Sequence, residues 1–184
     1  MQYTILSGSS RTESLTERAA TAAGAWLQQL PGVSSQIIRL NQYPVPFVDQ
    51  VWNSPTDMPE SMYALWEQME NTDAFILVTP EYNGSYSALL KNYMDHFPKR
   101  IYQRKPMGIV TASPGALGGI RAAQQMQQMI CAFFAIPSPH MLTIPFLEKK
   151  IAADGSLIDA TFEKNINHFM QELHWLSSRL KTTG

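Results

Sequence analysis

The chain has 184 residues, 45% of them hydrophobic and 10% aromatic, which is the size of one domain able to bury roughly two-thirds of its unfolded surface. Fourteen Lys plus Arg stand against fifteen Asp plus Glu, for a formal net charge of -1, so there is no field to hold nucleic acid or an acidic membrane. The single cysteine, Cys131, rules out an internal disulfide and a cysteine-built metal cage, so redox chemistry here needs a cofactor and no metal is expected.

The opening stretch MQYTILSGSS has no basic segment followed by a long apolar one, and no run approaches about 18 apolar residues. Neither a leader nor a membrane span is expected, and the reading is cytoplasmic. Tyr3 to Leu6 reads as a strand, Ser14 to Leu30 as a helix and Gln36 to Leu40 as a second strand. Asn41 to Pro59 carries Pro44, Pro46, Pro55 and Pro59; lacking those backbone donors it is neither a regular helix nor a central strand, but a surface excursion. Pro59 to Asn71 is a helix, Ala74 to Thr79 a strand, Ser87 to Phe97 a helix, Met107 to Thr111 a strand and Leu117 to Phe134 a helix. A weaker strand around Met141 to Ile144 and a helix from Asp159 to Leu180 complete the order.

The runs at 74–78 and 107–110 are almost continuously apolar, as central parallel strands covered on both faces are. In the last helix Phe162, Ile166, Phe169, Leu173, Leu176 and Leu180 recur at spacings of three and four, which puts one stripe against the sheet. Strand and helix alternate as in a doubly wound parallel α/β sheet, and no repeat or composition shift marks a second domain over 1–184.

Ligands of such a sheet bind at the carboxyl ends of its strands, and three unusual loops fall there. Gly8 to Thr16 follows the first strand and contains Ser9, Ser10, Arg11, Thr12, Ser14 and Thr16. Unpaired amides at a helix start, hydroxyls and one guanidinium suit a phosphate, although Ser14 or Thr12 would equally serve as a plain helix cap. Neither G-x-G-x-x-G nor G-x-x-x-x-G-K-[ST] is present, so a monophosphate fits better than a dinucleotide or a triphosphate. Thr79 to Ser87, containing Pro80, Glu81, Tyr82, Asn83 and Gly84, presents backbone groups and a tyrosine face that read a flat heteroaromatic ring, or else is an ordinary βα turn. Ser113 to Arg121 holds Gly115, Gly118 and Gly119, which permit close backbone approach to a ligand or simply a flexible connection.

The strings G-S-S-R-x-x-S-x-T, P-E-Y-N-G-S-x-x-x-L-K-N-x-x-D and S-P-G-A-L-G-G-x-R-A stand in that order, and on them the chain resembles the NADPH-dependent FMN reductases over about its first 145 residues. That group includes chromate-, quinone- and azo-dye-reducing flavoproteins. The resemblance implies a flavodoxin-like, three-layer fold whose five parallel strands run in the order 2-1-3-4-5. It further implies that Ser9, Arg11, Ser14 and Thr16 bind the FMN phosphate with Leu15 beside it. Pro80, Glu81, Tyr82 and Asn83 would line the isoalloxazine, largely through main-chain atoms, and Ser113, Gly115 and Gly118 would close the other side, with Tyr82 also touching the substrate. Ser87-Ala88 stands where many relatives have Pro-Gly, and His96 where they have Trp; His96 and His140 are read as packing or surface residues rather than catalytic bases.

The implied reaction passes hydride from NADPH or NADH to flavin N5. Two electrons then go to a quinone, azo compound, metal oxyanion or free flavin, without a side-chain nucleophile or base. Arg100, Arg104 and Arg121 are the cations available for the extra phosphate of NADPH, and none is assigned. The alternative is a flavodoxin-like electron carrier serving protein partners; near neutrality and Arg11 in the phosphate loop argue against it. Ile120, Met126, Met129, Ile130, Phe133 and Phe134 of the fourth helix, with Leu90, Tyr93, Met94 and Phe97 of the third, spread apolar surface over more than one face. Together with only 16% charged residues, this predicts a homodimer or homotetramer built on those two helices.

Overall fold

The computed structural model describes residues 1–12 and 14–181. The first strand, β1 (Gln2–Ser7), pairs in parallel with β2 (Ser34–Arg39) on one side and β3 (Ala74–Pro80) on the other. Beyond β3 lies β4 (Pro106–Ser113), so the order β2-β1-β3-β4 changes direction at β1 and β3. The carboxyl ends of those two strands are the switch point at which such sheets bind ligands.

Alternation along the strands assigns the two faces. Tyr3, Ile5, Ala74, Ile76, Val78, Val110 and Ala112 pack with α1 (Leu15–Leu27) and α5 (Ala160–Leu180). Leu6, Phe75, Leu77, Met107 and Ile109 pack on the opposite side with α2 (Tyr63–Glu70), α3 (Ala88–Asp95) and α4 (Ile120–Ala132). Both faces of the central strands are therefore covered, which is why 74–78 and 107–110 read as nearly unbroken hydrophobic runs.

The fifth position in the sheet is filled by two successive segments. β5 (Ile136–Pro137) pairs with Pro106 and Met107, and β6 (Leu142–Pro145) pairs with Val110 to Ser113. The sequence predicted only the second. Pro137 and Pro139 remove donors where a continuous strand would need them, so the chain leaves the ladder between the two. There the His140 ring meets His168 edge-on at 4.5 Å, and burial lowers its pKa.

Several expected boundaries move for local reasons. α2 begins at Tyr63, after a 3₁₀ turn at Glu60–Met62. α4 begins at Ile120 rather than Leu117 because Gly118 and Gly119 both take positive φ. The proline-rich excursion lies along α3: Asn92 donates to Pro46 O and accepts from Val48 N, both at 2.8 Å, and Trp52 N donates to His96 O at 2.7 Å. Trp52 and Met58 are buried, whereas Phe47 is 89% exposed. His96 is 1% exposed, donates from Nδ1 to Asn92 O at 2.8 Å and faces Trp52 with ring centroids 4.2 Å apart, so it is a packing residue.

The expected outward apolar face of α3 and α4 is corrected by the packing. Leu90, Tyr93, Met94, Phe97, Met126, Met129, Ile130 and Phe133 are all buried within the chain, because the excursion and the sheet edge wrap around more of these helices than a single stripe would require. Of that group Phe134 remains outside, 62% exposed. Among the described residues, no helix is long and apolar enough to cross a membrane.

Candidate functional site

The first loop is shaped by its own hydroxyls. Ser14 caps α1, its Oγ accepting from Thr16 N at 3.2 Å and lying in close contact with Thr16 Oγ1. Ser9 Oγ accepts from Arg11 N at 3.2 Å, a local turn held by the serine hydroxyl. The guanidinium of Arg11 forms no ion pair among the described residues and lies over the Tyr82 ring, 4.9 Å from its centroid. Behind the loop Ser7 Oγ donates to Glu17 Oε2 at 3.0 Å, and Glu17 pairs with Arg39. Glu17 is thus neutralised by a partner outside the loop.

The second loop is a two-residue hairpin. Tyr82 and Ser85 exchange amide bonds of 2.9 and 3.1 Å, while Asn83 and Gly84 take φ of 51° and 81°. This is the Asn-Gly chemistry of a type I′ turn, which requires positive φ at both central residues. The turn is fixed to its surroundings. Ser87 caps α3 by accepting from Leu90 N at 3.1 Å and donates to Gly8 O; it therefore starts the helix in the place of the Pro-Gly pair of the resembled family. Ser87 N in turn donates to Thr79 Oγ1 at 3.0 Å. Gly8 lies so close to α3 that a Cβ would stand 2.9 Å from Leu90 Cβ. Loops one and two form one unit, linked again by a 3.3 Å contact between Ser9 Oγ and Tyr82 OH.

The third loop is pinned by Glu81. α4 starts from Gly119, which has no side chain to cap it, and Glu81 Oε2 takes over that task, accepting from Arg121 N at 3.1 Å and Ala122 N at 3.5 Å. Its Oε1 pairs with Arg121 Nη1 at 3.3 Å. A carboxylate at a helix N-terminus is favoured by the exposed amides and the dipole.

These loops enclose a cleft of about 240 Å³ lined by Arg11, Ser14, Leu15, Thr16, Pro80, Glu81, Tyr82, Ala112, Ser113 and Pro114. It adjoins an open recess of about 530 Å³ bounded by Ser10, Arg11, Glu81, Tyr82 and Asn83, and a polar one of about 180 Å³ that includes Ser9, Arg11 and Ser14. Gly115 sits on the rim, its N–H donating to Ser113 Oγ at 3.2 Å. Gly118 is not brought to the cleft: a Cβ there would stand 2.7 Å from Pro145 N, so this glycine lets α4 approach β6. Of the arginines left unassigned, Arg100 pairs with Glu70 and Arg121 with Glu81. Ala112 and Pro114 line the cleft without having been singled out by residue type, since neither carries a polar group to draw attention.

A sequence model of the NADPH-dependent FMN reductase family matches residues 1–148, spanning all three loops. The chain is 31% identical over 143 residues to a 2-hydroxy-1,4-benzoquinone reductase of a Burkholderia species, covering 73% of this chain and 76% of that one. It is 26% identical over 148 residues to an FMN-dependent NADPH-azoreductase of Staphylococcus aureus, covering 77% of each. A solved flavoenzyme NAD(P)H:(acceptor) oxidoreductase of Paracoccus denitrificans shares the fold with a TM-score of 0.77 at 23% identity, over 96% of this chain and 97% of that one. With its loop motifs gathered on one cleft and the family match running through each of them, the chain belongs to the NADPH-dependent FMN reductase family.

Proposed function

We propose that this chain, as a single flavodoxin-like domain over residues 1–184, is an FMN-dependent NAD(P)H oxidoreductase delivering electrons to small acceptors of the quinone or azo class. The observation that carries the reading is the convergence of a hydroxyl-rich loop, an arginine without an ion-pair partner among the described residues and an apolar and aromatic wall on one cleft at the switch point of the sheet. The donor set fits a phosphate monoester, and Leu15, Pro80, Tyr82 and Ala112 fit the face and edge of a flat ring.

Bound FMN supplies hydride acceptance at N5 and two-electron release. The chain's own residues bind and position. Arg11 and the hydroxyls of Ser9, Ser14 and Thr16 would hold the phosphate; Pro80, Glu81, Tyr82 and Asn83 would frame the ring with Ser113 and Gly115 behind; Tyr82 borders the space that donor and then acceptor would enter. Donor and acceptor would take turns in the same space beside Tyr82, which would give ping-pong kinetics. No side chain is required to move a proton at the reacting centre. Anaerobic addition of NADPH or NADH to FMN-loaded protein should bleach the flavin absorbance within the time of turnover. Absence of bleaching with both nucleotides would overturn the reductase reading in favour of an electron carrier.

The same reading places the enzyme in the cytoplasm as a homodimer or homotetramer. What supports assembly is the outer face of α4, where Gln124, Gln125, Gln128, Cys131 and Ala132 are exposed and uncharged, beside exposed Phe134 and a groove of about 670 Å³ with Tyr86, Met129 and Phe133 in its walls. Lys91, Asp95 and Lys99 complete the groove's walls, and burial raises the Tyr86 hydroxyl pKa above its ordinary value. The mass of the FMN-loaded protein in solution should be a multiple of the chain mass; monomer alone at micromolar concentration removes this part of the reading.

A further inference from the structure

The turn that frames the ring, closed by its own two backbone bonds, is also braced from α4. Its Gly84 carbonyl accepts from Gln125 Nε2 at 3.0 Å, and its Ser85 Oγ donates to Gln125 Oε1 at 2.6 Å. The orientation of the amide is fixed by chemistry, since a carbonyl oxygen can only accept. One turn of helix earlier, Arg121 and the α4 amides neutralise Glu81 at the base of the same turn. α4 thereby occupies an acceptor of the turn and cancels its adjacent carboxylate. The consecutive N–H groups of Asn83 and Gly84 are left uncommitted among the described residues.

We propose that Gln125 is a positioning residue of the flavin site: by clamping Gly84 O and Ser85 Oγ from α4, it holds the turn in the form that offers hydrogen-bond donors to the ring, and so sets the flavin's reduction potential as well as its affinity. The inference rests on the FMN-dependent reading above. Donors fixed against ring acceptors stabilise added electron density, so they favour the reduced ring over the oxidised one. Releasing Gln125 frees the Gly84 carbonyl and loosens those donors, which costs the reduced form more.

The test compares FMN-loaded parent chain, Gln125→Ala, Ser85→Ala and the double variant by FMN titration and by spectroscopic redox titration. In Gln125→Ala, oxidised FMN should bind more weakly by up to about tenfold, the effect of losing a neutral hydrogen bond or two. Reduced FMN should lose about a further tenfold, which for a two-electron couple moves the midpoint about 30 mV more negative. Ser85→Ala should move the midpoint the same way by less, and the double variant no further than Gln125→Ala alone, because both residues act through one clamp. Gln125→Glu keeps the Ser85 bond but sets a carboxylate against Gly84 O, and should give the most negative midpoint; with Ser85→Ala it carries the test if Gln125→Ala does not fold. A midpoint that is unchanged or raised, whether or not affinity falls, overturns the proposal and leaves Gln125 a structural brace. A parent chain that takes up no FMN overturns the reading beneath it instead.

Discussion

Replacing Arg11 with alanine should raise the dissociation constant for FMN by about one to two orders of magnitude, the equivalent of a hydrogen bond to a charged group. The expectation follows from what Arg11 lacks. Glu17, in the first turn of α1, is engaged by Arg39 and Ser7, and Arg11 has no carboxylate partner among the described residues, so binding a phosphate breaks no ion pair among them. The guanidinium rests against the Tyr82 ring, a contact worth about 0.5–1 kcal/mol at an exposed site, which is small beside a charge-assisted pair with phosphate. Arg11→Lys keeps the charge but loses the planar fork and should fall between parent and alanine variant. Fluorescence titration of FMN measures all three; an Arg11→Ala affinity equal to the parent's would remove this residue from the phosphate site.

Phe169→Ala should destabilise the fold by about 3–5 kcal/mol, the usual cost of emptying a buried aromatic position. Phe169 is fully buried on α5, and its ring lies over Gly108 in β4, where an added Cβ would stand 2.8 Å from Phe169 Cζ and 2.7 Å from Leu173 Cδ2. The glycine is the recess and the phenyl ring fills it. Urea unfolding at fixed pH reads the loss, and a thermal midpoint lower by roughly 10 °C should accompany it. FMN affinity of the folded variant should match the parent's, because α5 lines none of the recesses at the cleft. Gly108→Ala alone should cost about 1–3 kcal/mol through overpacking, and less in the Phe169→Ala background, where one of the two colliding groups is gone. The family match ends at residue 148, yet Phe162, Ile166, Phe169, Met170 and Leu173 of α5 complete the core on one side of the sheet. A stability loss below about 1 kcal/mol for Phe169→Ala would show that this helix is only loosely docked.

Much of this architecture was legible before any coordinates. Apolar runs at 74–78 and 107–110 read as central strands because each successive side chain meets a covered face, and α5 read as amphipathic because its apolar residues recur at helical spacing. Ser87 and Ser14 at helix starts, and Asn83-Gly84 as a bend, are statements about neighbours within a few residues. Once the strands are parallel, all three loops must emerge at the same edge, so the cleft itself follows from their order along the chain.

Other features were settled only when distant segments met. Glu81 and Arg121 are 40 residues apart, and nothing local says that a carboxylate after β3 will cap a helix that follows β4; the β3–β4 register brings them together. The same holds for Gln125 reaching Gly84, for Gly118 serving β6 rather than the cleft, and for Trp52 closing over His96. The apolar residues of α3 and α4 looked like an outward surface because helical periodicity records which side chains are apolar but not what will cover them. Periodicity and turn chemistry are short-range and so are written in the order of residues. The choice among possible partners for a charge, an amide or an apolar face is made by packing, where every element competes for the same space.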